Sequence, residues 1–216
     1  MAQDSTAGSI PKKPATYIVE HLDDELGPWS ELEYVTIAKD SHMSGNTFLL
    51  SSLPPSLDLP ATLSSLPAFK SETRGVEELY AATKDRVCLL DPAAAQDLSP
   101  EDGDCFDVFL FGGILGDDPP RDRTSELRAK GFQGRRLGSK QMTTDTAVRV
   151  TRIVVQDKVP LDSIPYDDFP ELKFNEREST EMPFRYVKGE DGKPIMPEGM
   201  VELIRKDADK AIDDLF

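Results

Sequence analysis

The sequence contains no apolar run near the ~20 residues that a membrane-spanning helix needs. Its N-terminus, MAQDSTAGSIPKKPA, also has none of the apolar stretch that a signal peptide carries. A soluble, intracellular, cytoplasmic protein without a membrane partner is expected. Cysteine is nearly missing: Cys88 and Cys105 are the only two. They lie in or near apolar runs and read as reduced core thiols, which excludes a disulfide framework. With only two histidines, His21 and His42, in unrelated contexts, no metal site is expected. Positive charge is scarce as well, since 25 Lys and Arg against 40 Asp and Glu leave a net charge of −15. A nucleic acid needs a positive footprint, so it is not expected as the direct substrate. The balance favours a basic partner, or serves solubility alone.

The 216 residues suit one compact domain with an extension, and the 38% apolar content leaves room for a tail. Residues 1–15 are small, polar and proline-punctuated and read as disordered. Residues 16–158 carry the core. Runs of β-favouring residues occur at Thr16–His21, Thr47–Leu50, Arg86–Asp91, Phe106–Phe111 and Phe132–Leu137. Near-continuous apolar strands belong to a sheet buried on both faces, and helical segments alternate with them. The class is α/β, with a mainly parallel sheet and helices on both faces. Gly27-Pro28 opens the first helix, where Trp29 and Tyr34 read as core residues, and Ser30 with Glu33 forms a candidate capping box. Between Thr143 and Asp157 the polar residues Asp145, Arg149, Arg152 and Gln156 step by four, three and four. That helical period outweighs the local β propensity, with Thr143 or Thr144 as the N-cap. Residues 159–216 form an acidic, proline-rich extension with a short hairpin and a terminal helix, expected to wrap the core.

The stretch FGGILGDDPPRDRT at 111–124 places glycines straight after an apolar strand, at the edge where open α/β sheets bind ligands. It lacks the spacing of a dinucleotide or P-loop motif. Asp117 and Asp118 also sit where a phosphate would need positive potential. Two like charges ~4 Å apart repel by roughly 1 kcal/mol in water and about 4 kcal/mol at an effective dielectric of 20. A cation or a neutral nucleoside fits better. Taken alone, the loop could be a tight turn ended by Asp-Asp-Pro. A second glycine-containing loop before a helix, RRLGSKQMTTDTA at 135–147, shifts the balance towards a site.

GGILGDDPPRDRTSELR together with RRLGSKQMTTDTAVRVT resembles the SPOUT-class methyltransferases. The similarity is to their fungal protein arginine methyltransferase branch, which modifies a small-subunit ribosomal protein. YIVEHLDDELGPWSELEY resembles that branch too, and the likeness spans roughly residues 17–157. The resemblance implies a C-terminal trefoil knot and S-adenosylmethionine bound bent within it, largely through backbone groups. It implies cofactor contacts at Leu90, Asp91, Gly112, Gly113, Ile114, Leu115, Gly116, Leu137, Gly138, Gln141, Met142 and Thr144. Glycine would allow close backbone approach there.

Methyl transfer to arginine requires binding a cation, orienting one nitrogen and accepting a proton. Carboxylates pair bidentately with a guanidinium. The candidate catalytic residues are therefore Glu20, Asp117 and Asp118, with Glu20, Asp118 and Arg121 as substrate contacts. His21 beside Glu20 is more readily structural. Other readings are a SPOUT-type tRNA or rRNA methyltransferase, against which the acidic balance counts, and a non-catalytic cofactor-binding module of ribosome assembly. Most SPOUT proteins dimerise, but an extension covering that face would leave a monomer.

Overall fold

A computed structural model describes residues 13–21, 23–112, 124–175 and 178–213, the last six of these by backbone alone. The core runs β1 (Thr16–Glu20), α1 (Pro28–Met43), β2 (Thr47–Ser51), α2 (Ala61–Ser64), β3 (Phe69–Ser71), α3 (Val76–Leu79) and β4 (Val87–Leu90). It continues with α4 (Asp102–Cys105), β5 (Val108–Gly112), α5 (Thr124–Ala129), β6 (Gln133–Arg135) and α6 (Thr144–Gln156). The extension holds β7 (Tyr166–Asp168), β8 (Glu171–Lys173), β9 (Ser179–Glu181), β10 (Arg185–Val187) and α7 (Met200–Asp213).

Strands β3-β2-β1-β5-β4-β6 form one six-stranded sheet in which every pairing is parallel, as expected. Successive side chains point to opposite faces. Tyr17, Val19, Phe48, Leu50, Cys88, Leu90, Phe109 and Phe111 pack against α1 and α6. Ile18, Leu49, Leu89, Val108 and Leu110 pack against Val76 of α3 and Leu127 of α5 on the other. Burial on both faces explains the unbroken apolar runs.

Gly27 is the N-cap of α1 and Pro28 its first residue, as the sequence indicates. The capping box does not form. Ser30 lies inside the helix, no side chain caps it, and Glu33 reaches a different helix altogether. The short elements β3 and α3 were not legible in the sequence, being only three and four residues long. Lys13 to Ala15, read as tail, are held in place: Gln156 Nε2 donates to the Lys13 carbonyl at 3.0 Å and Ala15 N to Asn46 Oδ1 at 2.8 Å. Residues 1–12 lie outside the described residues. Cys88 is a buried core thiol, pushed up to about 12 by burial, but Cys105 is exposed.

The extension wraps α1 from outside. β7 pairs with β10 and β8 with β9, both antiparallel, so there are two small ribbons where one hairpin was expected. Met182, Phe184, Tyr186, Met200 and Ile204 close over Trp29 and Leu32 of α1. No helix among the described residues is long and apolar enough to cross a membrane.

Helix α4 lies so close to α6 that a Cβ on Gly103 would stand 2.4 Å from the carbonyl oxygen of Val155. Backbone cannot yield there as a flexible side chain would. Gly103→Ala is therefore expected to destabilise the protein by about 1–3 kcal/mol, read as a lower urea midpoint at unchanged m-value. An unshifted midpoint would mean that the two helices separate easily.

Candidate functional site

A cavity of about 560 Å³ opens at the carboxyl ends of β4 and β5. Its walls come from residues 90–93 and 111–112, the α5 residues Thr124 and Arg128, the loop 136–142, and Thr144 and Ala147 of α6. Of the expected cofactor residues, Leu90, Asp91, Gly112, Leu137, Gly138, Gln141, Met142 and Thr144 all line it. Gly113, Ile114, Leu115, Gly116, Asp117, Asp118 and Arg121 lie outside the described residues. Phe111, Thr124, Arg128, Arg136 and Ala147 line it without having been foreseen. Thr124 and Arg128 stand one helical turn apart, which marks a shared face but does not reveal the partner. The loop turns at Gly138 with φ of +81°, where no atom would crowd a Cβ. Backbone conformation, not close packing, calls for glycine there.

Among the described residues, each cationic side chain on the wall is matched by a carboxylate. Asp91, 2% exposed, accepts Arg128 Nε at 2.5 Å and Nη2 at 2.8 Å, together with Thr124 Oγ1 at 3.0 Å. The Arg128 guanidinium, more than burial opposes it, holds the Asp91 carboxyl below the ordinary carboxylate range. Arg136 Nε lies 2.5 Å from Asp97 Oδ1, and Lys140 Nζ lies 2.6 Å from Asp168 Oδ2. A wall with its cations neutralised is poorly suited to a phosphate, which seeks unpaired positive charge. Leu90, Phe111, Leu137, Met142 and Ala147 give it apolar surface, as suits a largely neutral ligand.

The extension braces the loop 138–142 from behind. Asp168 of β7 takes Lys140 on one side and the fork of Arg185 on the other, at 2.6 Å to Nε and 3.0 Å to Nη2. Arg185 N donates to the Gln141 carbonyl at 2.8 Å, and the Arg185 guanidinium stacks 4.2 Å over the Tyr166 ring.

Glu20 is not brought to the cavity wall. It is 2% exposed, accepts a hydrogen bond from Ser52 Oγ at 2.7 Å, and lies 3.8 Å from Lys130 Nζ, which itself pairs with Glu77. His21 turns into the core, with Nδ1 3.2 Å from the Tyr34 hydroxyl.

The sequence matches the model of the family "SFM1-like: Protein arginine N-methyltransferase SFM1-like" over residues 16–211. The chain belongs to this family. It is 46% identical to the protein arginine N-methyltransferase SFM1 of Saccharomyces cerevisiae over 93% of this chain and 99% of that one. The crystal structure of yeast SFM1 complexed with SAM superposes with a TM-score of 0.82 and 44% identity, covering 92% of this chain and 93% of that one. A Trm10–SAH complex shares the fold alone, at 11% identity and a TM-score of 0.51 over 66% of this chain and 87% of that one. The family match runs to residue 211, so the extension belongs to the SFM1-like unit and is not an addition to it.

Two outcomes follow from this bonding. Arg128→Ala leaves a buried carboxylate without its fork, at an expected cost of about 1–3 kcal/mol at pH 7. Because Asp91 is held low, its contribution is full above the ordinary carboxylate value and disappears as pH falls through the folded one. The gap between variant and wild type should thus shrink below about pH 4, as denaturant melts at pH 7 and pH 3.5 would register. For Asp168→Ala, hydrogen exchange of the Arg185 amide should quicken at least about tenfold, since charge-assisted bonds contribute about 1.5–3 kcal/mol. Unchanged exchange would mean that the brace contributes nothing to the loop.

Proposed function

We propose that the chain is an S-adenosylmethionine-dependent protein arginine N-methyltransferase whose substrate is a basic protein, a small-subunit ribosomal protein being the first candidate. The observation that carries this reading is the charge-matched, partly apolar cavity at the sheet edge of a chain in the SFM1-like family. Complexes of yeast SFM1 with SAM, SAH and MTA point to the same ligand class. The residues present fit that ligand. Leu90, Phe111, Leu137, Met142 and Ala147 suit an adenosine, the 137–142 backbone offers donors and acceptors, and among the described lining residues no excess of cations repels a sulfonium. When bound, S-adenosylmethionine supplies an electrophilic methyl group.

The protein's own task is to receive an arginine. A free guanidinium titrates far above neutral pH and stays protonated. The nitrogen that takes the methyl must therefore give up a proton as the new C–N bond forms. Asp117 and Asp118 follow the cavity's glycines in sequence, and their carboxylate oxygens are assigned to pair with the guanidinium and accept that proton. Arg121 is assigned to orient Asp118 or an acidic group of the substrate. Glu20, buried against Ser52 and Lys130, supports this edge from within the fold. The knot belongs to this reading as well. The chain leaving β6 is stitched to the loop after β4, through Asp91 N to Arg135 O at 2.8 Å and Leu98 N to Arg136 O at 2.9 Å, before it enters α6.

A monomer acting in the cytoplasm completes the proposal. The extension already covers the outer side of α1, where Trp29 and Leu32 would otherwise offer apolar surface to a second copy.

The deciding experiment is transfer of labelled methyl from S-adenosylmethionine into separated protein and RNA fractions of cells lacking the enzyme. Label is expected in a basic ribosomal protein, and label in RNA alone would overturn the reading. Asp117→Asn and Asp118→Asn should each lower turnover by about 100-fold or more while leaving cofactor affinity nearly unchanged. Light scattering should give the mass of one chain, and a concentration-independent dimer would sink the monomer assignment.

A further inference from the structure

Glu33 is 0% exposed in α1, and Asp145 across from it in α6 is 2% exposed. Glu33 Oε1 accepts the backbone N–H of Thr144 at 3.0 Å. That N–H belongs to the first turn of α6, whose own N-cap residue Thr143 makes no side-chain cap and instead donates its hydroxyl hydrogen to Thr146 Oγ1 at 2.8 Å. Glu33 is thus the cap of a helix 111 residues away in sequence. The remaining oxygens are the puzzle. Glu33 Oε2 and both Asp145 oxygens are fully buried and have no well-formed hydrogen bond among the described residues. The Thr143 hydroxyl and the Thr146 N–H approach Asp145, and the Trp29 indole approaches Glu33, without supplying a charge. Orphaned buried carboxylate oxygens are costly, and two such groups cannot both stay ionised side by side without a strong compensating charge.

The surroundings do not supply that charge. From α6, Arg149 faces Asp145 but gives its Nη2 to Asp40 Oδ2 of α1 at 2.7 Å. From β10, the buried Tyr186 hydroxyl faces both acids and has no hydrogen-bond partner among the described residues. From α1, the Trp29 indole reaches Glu33. With both acids ionised, three carboxylates would share one guanidinium.

We propose that Glu33 and Asp145 hold a single proton between them, and that this pair sets the position of the first turn of α6, and so of Thr144, against the cavity. The proton sits on Glu33 Oε2 and is donated to an Asp145 oxygen, while Oε1 keeps its bond to Thr144 N. One proton then satisfies the orphaned side of Glu33 and one oxygen of Asp145. Burial first, and the neighbouring Asp145 charge second, push the Glu33 carboxyl well above its ordinary value of 4.5, in keeping with this assignment. Glu33 is a positioning residue, since it reaches the cavity only through the α6 backbone. Its effect on the cofactor rests on the methyltransferase reading, but the shared proton does not.

The test compares the full-length wild type with Glu33→Gln and Glu33→Leu. Glutamine keeps a carbonyl for Thr144 N and an N–H for Asp145, whereas leucine keeps neither. Infrared difference spectra at pH 7 should show the carbonyl stretch of a protonated carboxylic acid in wild type and its loss in Glu33→Gln. Absence of that band from wild type would overturn the shared proton, whatever the cofactor does. A folded-state carboxyl that titrates high binds a proton which the unfolded chain releases. Its stabilising effect is full below about pH 4.5 and is lost as pH rises towards the folded value. The unfolding constant of wild type relative to Glu33→Gln should therefore climb by up to tenfold per pH unit above that point. Parallel pH dependence in the two proteins would count against the proposal, and this comparison stands even if Glu33→Leu fails to fold. Calorimetric titration with S-adenosylhomocysteine should give Glu33→Gln an affinity within about twofold of wild type and Glu33→Leu one at least tenfold weaker. If a folded Glu33→Leu binds like wild type, the positioning role is lost while the proton assignment is judged by the infrared band alone.

Discussion

Helix α1 is covered twice, and that constraint organises the molecule. One side closes over the parallel sheet through Tyr34, Ile37 and Ala38, and the other lies under Trp29 and Leu32 against the extension. Polar residues on the two covered sides are cut off from water, so each one left without a partner is costly. Glu33 finds its use on α6, where it supplies the acceptor that the N-cap residue does not. The extension that creates this burial also braces the cavity loop through Asp168 and Arg185. Enclosure of α1 and placement of the ligand loop are therefore two results of the same contact.

Charge matching then decides what the cavity suits. Arg128, Arg136 and Lys140 would make a phosphate site if they stood alone, but Asp91, Asp97 and Asp168 answer each of them. What is left is an apolar, hydrogen-bonding surface suited to a nucleoside with a cationic tail. A net charge of −15 over the whole chain disfavours a nucleic acid and suits a basic polypeptide.

The parts of the fold that were legible share one property, which is repetition along the chain. β1, β2, β4 and β5 announce themselves as unbroken apolar runs because strands buried on both faces have no polar side to show. α6 declares itself against its β-branched composition because its polar residues return every three or four positions. Gly27-Pro28 marks the start of α1 by backbone chemistry alone. Ser30 and Glu33 misled because a capping box is a local pattern, while the helix had already begun and the true acceptor for Glu33 lay on another element. Cys105 misled in the same way, since a neighbouring apolar run does not say which side of a short helix is covered.

The sequence by itself determined the α/β class and the glycine-bearing loops, which follow from periodicity and from residues that punctuate the chain. Most of the cavity's residues were legible too, but through the resemblance to the SPOUT methyltransferases and not through periodicity. Only the tertiary structure decided the partners. It set Arg128 against Asp91, Asp168 between Lys140 and Arg185, Glu33 on Thr144 beside Asp145, and Glu20 away from the cavity wall. Those choices rest on contacts between residues tens of positions apart, where burial raises the energetic cost of every unmatched charge and hydrogen bond.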